Sequence, residues 1–127
     1  MIAFKRNKLD VDITVARDGV SALEMLHGTA EKDPMPLPAV VLLDLQLPKV
    51  DGHEVLRRIR ETPATSLLPV VILTSSLHER DRLQTYKTGA NSYIVKPVDF
   101  EKFVDAAGVI GKYWTRMNYP PPWVAAG

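Results

Sequence analysis

The sequence predicts an α/β fold with a doubly wound parallel sheet. Three short apolar runs, Val40–Leu43, Pro69–Thr74 and Asn91–Lys96, have the length and composition of strands that are buried on both faces. Segments whose apolar residues recur at helical spacing separate these runs. Strands that alternate with helices favour parallel pairing through right-handed crossovers.

Length and composition are typical of one globular domain. The chain has 127 residues, of which 46% are apolar and 24% charged, and its net charge is +1. This balance gives no strong attraction to nucleic acid or to a membrane surface. There is no cysteine for a disulfide framework, no signal peptide, and no apolar run near the roughly 20 residues of a membrane span. We therefore expect a cytoplasmic protein with no nucleic-acid or membrane partner.

The first third of the chain contains one predicted strand between two predicted helices. Met1–Leu9 is interpreted as the last turns of a helix with a basic end. Val11–Ala16 alternates apolar and polar residues, the period of a half-exposed strand. Val20–His27 is predicted to be a helix that ends at Gly28, and the proline-rich segment Gly28–Pro38 is predicted to be a loop.

Three further helices are predicted in the rest of the chain. Gly52–Glu61 follows Asp51 as its N-cap, and His78–Thr88 ends at Gly89. The last helix begins near Asp99, and an apolar stripe is expected to cover the sheet: Phe100, Phe103, Val104, Ala107 and Trp114. The proline-rich tail cannot be a regular helix. We therefore divide the chain into a domain over residues 1–115 and a C-terminal extension over residues 116–127.

Each of the three buried runs ends on a side chain that can handle a phosphoryl group. Asp44 supplies a carboxylate, Thr74 a hydroxyl and Lys96 an ammonium group. Ligands of open α/β sheets bind beyond the carboxyl ends of the strands, where these three groups would meet. Taken singly, each has an ordinary interpretation, as a strand-ending Asp, a turn Thr or a solvated Lys. Their joint spacing favours a phosphoryl site.

Asp44, Thr74 and the pair Lys96–Pro97 at these spacings resemble the receiver domain of two-component response regulators. The resemblance runs from about Lys5 to Trp114. It implies a flavodoxin-like sheet of strand order 2-1-3-4-5. It also implies that the protein is a signalling switch rather than an enzyme, and that a sensor histidine kinase phosphorylates it.

The resemblance assigns a role to each matching residue. It makes Asp44 the phosphoacceptor, with Thr74 and Lys96 binding the phosphoryl oxygens. Asp44 and the backbone carbonyl of Gln46 would ligate Mg²⁺. The bond before Pro97 would be cis and would aim the lysine.

Tyr93 matches the switch aromatic of the family. There, the Thr74 hydroxyl would be drawn to the phosphoryl group and the tyrosine ring would move into the vacated space. The alternative is an ordinary strand aromatic whose hydroxyl faces water.

The family's first strand, with its two adjacent acidic residues, is absent from the sequence before Val11. If the chain is complete as written, Mg²⁺ would bind weakly or not at all without that acidic pair. Without the strand, the second and third strands would lie two strand spacings apart, roughly 10 Å. Three explanations compete: a chain shortened at its start, a sheet completed by a neighbouring chain or closed up on itself, and a degenerate receiver that is not phosphorylated. The first is favoured because the chain after Leu9 keeps the chemistry.

Two functions follow from the resemblance. The first is a single-domain response regulator that signals by protein–protein interaction. The alternative is a degenerate or truncated receiver that acts as a non-phosphorylated interaction or dimerisation module. A haloacid dehalogenase-like phosphatase is disfavoured because Gln46 stands where its second aspartate is needed, and a flavodoxin-like cofactor binder would need a phosphate-binding loop.

The C-terminal segments Gly111–Trp114 and Asn118–Pro122 resemble the extension of regulators that accompany bacterial phytochrome kinases. This resemblance implies a phytochrome as a possible kinase and a homodimer that forms through the last helix and the tail. The alternative is that Trp114, Tyr119 and Trp123 simply pack on their own domain.

Overall fold

A five-stranded sheet lies at the centre of the computed structural model, which describes residues 1–6 and 11–122. The strands are β1 (Ile2–Arg6), β2 (Val11–Val15), β3 (Val40–Leu43), β4 (Val70–Thr74) and β5 (Ser92–Val95). Their order in the sheet is β2-β1-β3-β4-β5, the order that the resemblance implied, and the flavodoxin-like fold class is confirmed.

The predicted helix at Met1–Leu9 is wrong, because its described part forms β1. This strand fills the position between β2 and β3 that the sequence interpretation left empty. It runs antiparallel to both neighbours, with Ile2 opposite Val15 on one side and Leu42 on the other. Only residues 7–10, which lie outside the described part, separate β1 from β2, whereas a parallel pair needs a connection of about a dozen residues or more. The sheet is therefore mixed rather than wholly parallel.

The helices lie close to their predicted positions. They are α1 (Gly19–His27), α2 (Gly52–Glu61), α3 (Glu79–Thr88) and α4 (Phe100–Lys112). A 3₁₀ turn (Pro63–Thr65) follows α2, and a π-helical turn (Tyr113–Met117) continues α4.

Side-chain caps fix the starts of α1 and α2. Asp51 accepts a hydrogen bond from the backbone of Glu54, as its predicted N-cap role requires, and Asp18 accepts one from Ser21 at the start of α1. Gly89 ends α3 with a φ of 119°, a left-handed conformation that favours glycine. Local sequence signals were therefore sufficient to place these ends.

Two apolar cores lie on opposite faces of the sheet. One face packs against α1 and α2, with Val41, Leu43 and Ile72 completely buried. The other packs against α4 and includes Phe4 and Leu42. All residues of β3 and β4 are buried, as predicted for strands covered on both faces. The same prediction is wrong for β5, an edge strand whose residues are only partly buried and whose Val95 is exposed.

The predicted apolar stripe of α4 is only partly correct. Phe103, Ala107 and Trp114 pack against the sheet, but Phe100 and Val104 are exposed. Phe100 lies at the first position of the helix and stacks on Phe103 instead. The helical run continues through the π-helical turn to Met117, past the predicted boundary at residue 115, and that division remains a prediction.

Within the described ranges, no helix is long and apolar enough to cross a bilayer. The predicted contacts of Trp123 and of the rest of residues 123–127 lie outside the described residues.

Candidate functional site

Parallel register brings the three predicted strand-end residues together. Leu43 of β3 pairs with Ile72 of β4, and Thr74 of β4 pairs with Val95 of β5. Asp44 and Lys96 follow these strands directly, so their side chains leave the same edge of the sheet as Thr74. A backbone hydrogen bond of 2.6 Å from Lys96 N to Thr74 O fixes the relative height of the last two strands.

Asp44 is held from two sides. Its Oδ1 accepts a 2.9 Å hydrogen bond from the backbone N–H of Gln46, and Lys96 Nζ lies 3.4 Å from its Oδ2. The carboxylate side chain remains 29% exposed and that of the lysine 40% exposed. Asp44 is therefore oriented for reaction but still reachable by another molecule.

A small cavity of about 150 Å³ opens beside this pair. Pockets for drug-sized ligands measure roughly 300–1,000 Å³, so the cavity suits a small group better than a nucleotide or a coenzyme. The side chain of Lys96 also lies over the ring of Phe103, with Nζ 5.4 Å from the ring centre, a cation–π contact that sequence reasoning missed. The cavity is lined by Met1, Ile2, Leu42, Asp44, Leu73, Lys96 and Phe103.

Ser76, which the sequence analysis did not identify, forms hydrogen bonds with both Thr74 and Tyr93. Thr74 is completely buried, and its Oγ1 accepts a 3.3 Å hydrogen bond from the backbone N–H of Ser76. The Tyr93 hydroxyl donates to the backbone oxygen of Ser76 at 3.1 Å. A hydroxyl residue two positions after Thr74 and just before a helix was the only sequence signal for this role.

The expected cis bond before Pro97 is wrong. None of the peptide bonds between described residues is cis, so the Lys96–Pro97 bond is trans. Trans is the intrinsically preferred isomer, by about 0.5–1 kcal/mol for a bond to proline. Lys96 reaches Asp44 with the trans bond, so its aim does not depend on a cis isomer.

The carboxylates present do not form a tight site for a divalent metal. No cluster of three or more His, Cys, Asp or Glu side chains suited to a metal ion occurs in the described ranges. Among the described cavity-lining residues, Asp44 is the single carboxylate, and Met1 and Ile2 of the β1 end contribute apolar side chains. A hard dication prefers six or more oxygen ligands, and Asp44 is already paired with Lys96.

Comparison with known proteins agrees with this geometry. Residues 2–108 match the family described as response regulator receiver domain. The probable methanogenesis regulatory protein FilR2 of Methanothrix harundinacea (strain 6Ac) is 41% identical over 121 residues, which cover 95% of this chain and 77% of that protein. Response regulator Rcp1 of Synechocystis sp. (strain ATCC 27184 / PCC 6803 / Kazusa) is 34% identical over 110 residues, with 87% and 75% covered.

Solved structures show the same similarity. The crystal structure of the Mn²⁺-bound form of Rcp1 superposes with a TM-score of 0.78 at 34% identity. The phosphorylated cyanobacterial phytochrome response regulator RcpA superposes with a TM-score of 0.80 at 33% identity. In both comparisons 86% of this chain and 78% of the other chain are covered.

Proposed function

Since the chain belongs to the response regulator receiver domain family, we propose that it is a single-domain response regulator whose Asp44 accepts a phosphoryl group from a sensor histidine kinase. The family is a signalling module, and the output of this chain would be protein–protein interaction rather than catalysis. The observation that carries the proposal is the 3.4 Å contact of Lys96 Nζ with an accessible Asp44 carboxylate.

The proposed reaction at this site is an in-line phosphoryl transfer. An Asp44 carboxylate oxygen attacks phosphorus, and the phosphorus–nitrogen bond of the kinase phosphohistidine breaks. The imidazole leaves with the electron pair of that bond and takes up a proton from water. Lys96 lies close enough to neutralise charge on the transferred group. The Thr74 hydroxyl would then donate to a phosphoryl oxygen.

The response would be a change in the packing of two residues. Thr74 and Tyr93 both bind Ser76 in the resting arrangement. Drawing the Thr74 hydroxyl toward a phosphorylated Asp44 would free space beside β4 that the Tyr93 ring can enter. Such a two-position element converts one local charge into a change of surface.

A divalent metal would contribute little here. The Rcp1 structure is a Mn²⁺-bound form, whereas the described cavity of this chain offers Asp44 alone as a carboxylate. With the backbone carbonyl of Gln46 as the second protein ligand, Mg²⁺ would bind weakly or not at all. We assign no step of the transfer to it.

The partners we propose are a phytochrome-type kinase and a second copy of the chain. The similarity to RcpA, a phytochrome response regulator, supports the first. Large apolar side chains exposed on α4 and on the turn after it support a homodimer that uses this helix and the extension over residues 116–127. They are Phe100, Val104, Val109, Tyr113 and Met117.

A second candidate function is a degenerate receiver that binds partners without phosphorylation. The single carboxylate at the cavity favours it. The juxtaposition of Asp44 and Lys96 favours the phosphorylated switch, because an interaction module has no need of that pair.

Intact-mass spectrometry after incubation with acetyl phosphate, with and without Mg²⁺, tests the proposal. We expect a gain of one phosphoryl group that is lost in Asp44→Asn and kept in Asp51→Asn, a matched control after the same strand. If Asp44→Asn still gains the group, Asp44 is not the phosphoacceptor. If the folded protein gains none from acetyl phosphate or from a histidine kinase, the interaction module replaces the switch.

A further inference from the structure

Ser76, in the loop between β4 and α3, joins the switch pair to the start of α3. Its backbone N–H binds Thr74 Oγ1 at 3.3 Å and its backbone oxygen accepts from the Tyr93 hydroxyl at 3.1 Å. Its own hydroxyl donates to Asp81 Oδ2 at 2.6 Å and accepts from the backbone of His78 at 3.3 Å. Every polar group of this one residue is therefore engaged.

Asp81 extends the chain of hydrogen bonds to α2. Its Oδ1 lies 3.1 Å from Nε2 of His53, a residue in the first turn of that helix. The hydrogen bond from Ser76, and secondarily that from His53, lowers the pKa of Asp81, so the carboxylate is ionised at neutral pH. Because an ionised carboxylate can only accept, His53 Nε2 is the donor. His53 Nδ1 is buried and has no hydrogen-bond partner in the described part of the chain.

We propose that Asp81 and His53 are positioning residues for the switch. Together with Ser76 they form what we call the Ser76 latch, which holds Thr74 and Tyr93 in their resting arrangement. The role of the switch itself depends on the proposed function above. The structural part, that Asp81 and His53 fix the surroundings of Tyr93, does not.

The latch acts because both moving side chains are bound to the same residue. Thr74 must give up its bond from the Ser76 amide to turn toward Asp44, and Tyr93 must leave the Ser76 carbonyl to move inward. The strength of the hydrogen bonds that hold Ser76 therefore sets the free energy that both movements require. Ser76 donates a charge-assisted hydrogen bond of 2.6 Å to Asp81, and His53 of α2 orients the Asp81 carboxylate. Hydrogen bonds of this kind are stronger than those between neutral groups, so Ser76 is held firmly.

A simpler role for Asp81 is favourable interaction with the α3 dipole as an acidic residue of the first helical turn. Glu79 provides the matched control, because it is acidic and in the same turn. Its side chain is 92% exposed, and its ion pair is a 4.0 Å contact with Arg82. A dipole effect would appear in variants of both residues, whereas a latch effect would appear only in Asp81 variants.

Fluorine NMR of the full chain labelled with 3-fluorotyrosine tests the latch without phosphorylation. The Tyr93 signal is assigned by its loss in Tyr93→Phe. We expect Asp81→Ala to shift or broaden that signal, His53→Ala to move it in the same direction by a smaller amount, and Glu79→Ala to leave it unchanged. His53→Gln, which keeps a donor toward Asp81, should restore the resting signal.

Two results would overturn the latch. One is an unchanged Tyr93 signal in Asp81→Ala protein that circular dichroism shows to be folded. The other is a His53→Ala, Asp81→Ala double variant whose Tyr93 shift equals the sum of the two single shifts. Two residues that act through the same chain of hydrogen bonds do not have additive effects. Since no phosphoryl donor is used, failure of phosphorylation would count against the proposed function and not against the latch.

Discussion

The ring of Phe4 on β1 lies against Gly111 of α4, where an added Cβ atom would stand 3.0 Å from Phe4 Cε1. Gly108, earlier in the same helix, has nothing within 4 Å of the equivalent position. Both glycines weaken the helix by about 1 kcal/mol relative to alanine. Only Gly111 has a reason in packing, since it gives the aromatic ring of β1 room beneath α4.

These two glycines therefore predict different responses to alanine. Gly108→Ala should raise the free energy of unfolding by about 1 kcal/mol, the helix-propensity gain of an exposed site. Gly111→Ala should gain clearly less, or lose stability, because the buried ring of Phe4 has to shift. Urea denaturation of both variants measures the difference. Equal gains would mean that Phe4 does not lie under α4, and the placement of β1 would be wrong.

Replacing Arg60 with lysine should lower the free energy of unfolding strongly, although the positive charge is kept. Its partly buried guanidinium donates to neutral acceptors: the backbone oxygens of Gly89 at 2.9 Å, Leu68 at 2.7 Å and Ser66 at 3.1 Å, and Asn91 Oδ1 at 3.0 Å. Burial lowers the pKa of Arg60. An ammonium group cannot reach all of these acceptors, so Arg60→Lys should cost about 2–4 kcal/mol of unfolding free energy.

Arg57→Lys is the matched control for Arg60→Lys. Arg57 lies in the same helix and forms exposed ion pairs with Glu54 and Glu61. Pairs of this kind contribute about 0–1 kcal/mol, so this variant should stay close to the unmodified protein in urea denaturation. Similar losses in the two variants would show that the acceptors around Arg60 do not hold the loop before β4.

His27 predicts a dependence of stability on pH. Its Nε2 lies 3.1 Å from Thr65 Oγ1, and burial, with a smaller contribution from Arg58, lowers its pKa from the usual 6.5. The folded state then binds the proton less readily than the unfolded state, so the free energy of unfolding should fall as pH decreases through 6.5 and below. His27→Gln should reduce this fall, measured by urea denaturation at about pH 7.5 and about pH 5.5. The same fall in both proteins would exclude His27 as its source.

The site was predictable where strand order and register determine it. Asp44, Thr74 and Lys96 stand at the ends of apolar runs that were predicted as parallel strands, and parallel register brings these ends together. Local pattern was enough for β3 and β4 because both faces of these strands are buried. It overestimated the burial of β5, which lies at the edge of the sheet.

The β1 strand and the Ser76 latch were not predictable for the same reason, since both depend on distant partners. The apolar residues of β1 fit a helix end as well as a short strand, and pairing with β2 and β3 decides between them. His53 and Asp81 are 28 residues apart in sequence, and the packing of α2 on α3 brings them together. Neither residue forms a recognisable motif with Ser76.

The cavity beside Asp44 predicts weak binding of divalent metal that one substitution can strengthen. Ile2→Asp would add a second carboxylate among the residues that line the cavity. We expect its affinity for Mn²⁺ to exceed that of the unmodified chain by about tenfold or more, equivalent to about 1.4 kcal/mol, because carboxylate count tunes the affinity of such sites. Ile13→Asp makes the same change at a 60% exposed position of β2 and should leave affinity unchanged. Calorimetric titration with Mn²⁺ measures the affinity of each of the three proteins. Tight binding by the unmodified chain, or equal gains in both variants, would show that metal affinity is not limited by the lack of a second carboxylate beside Asp44.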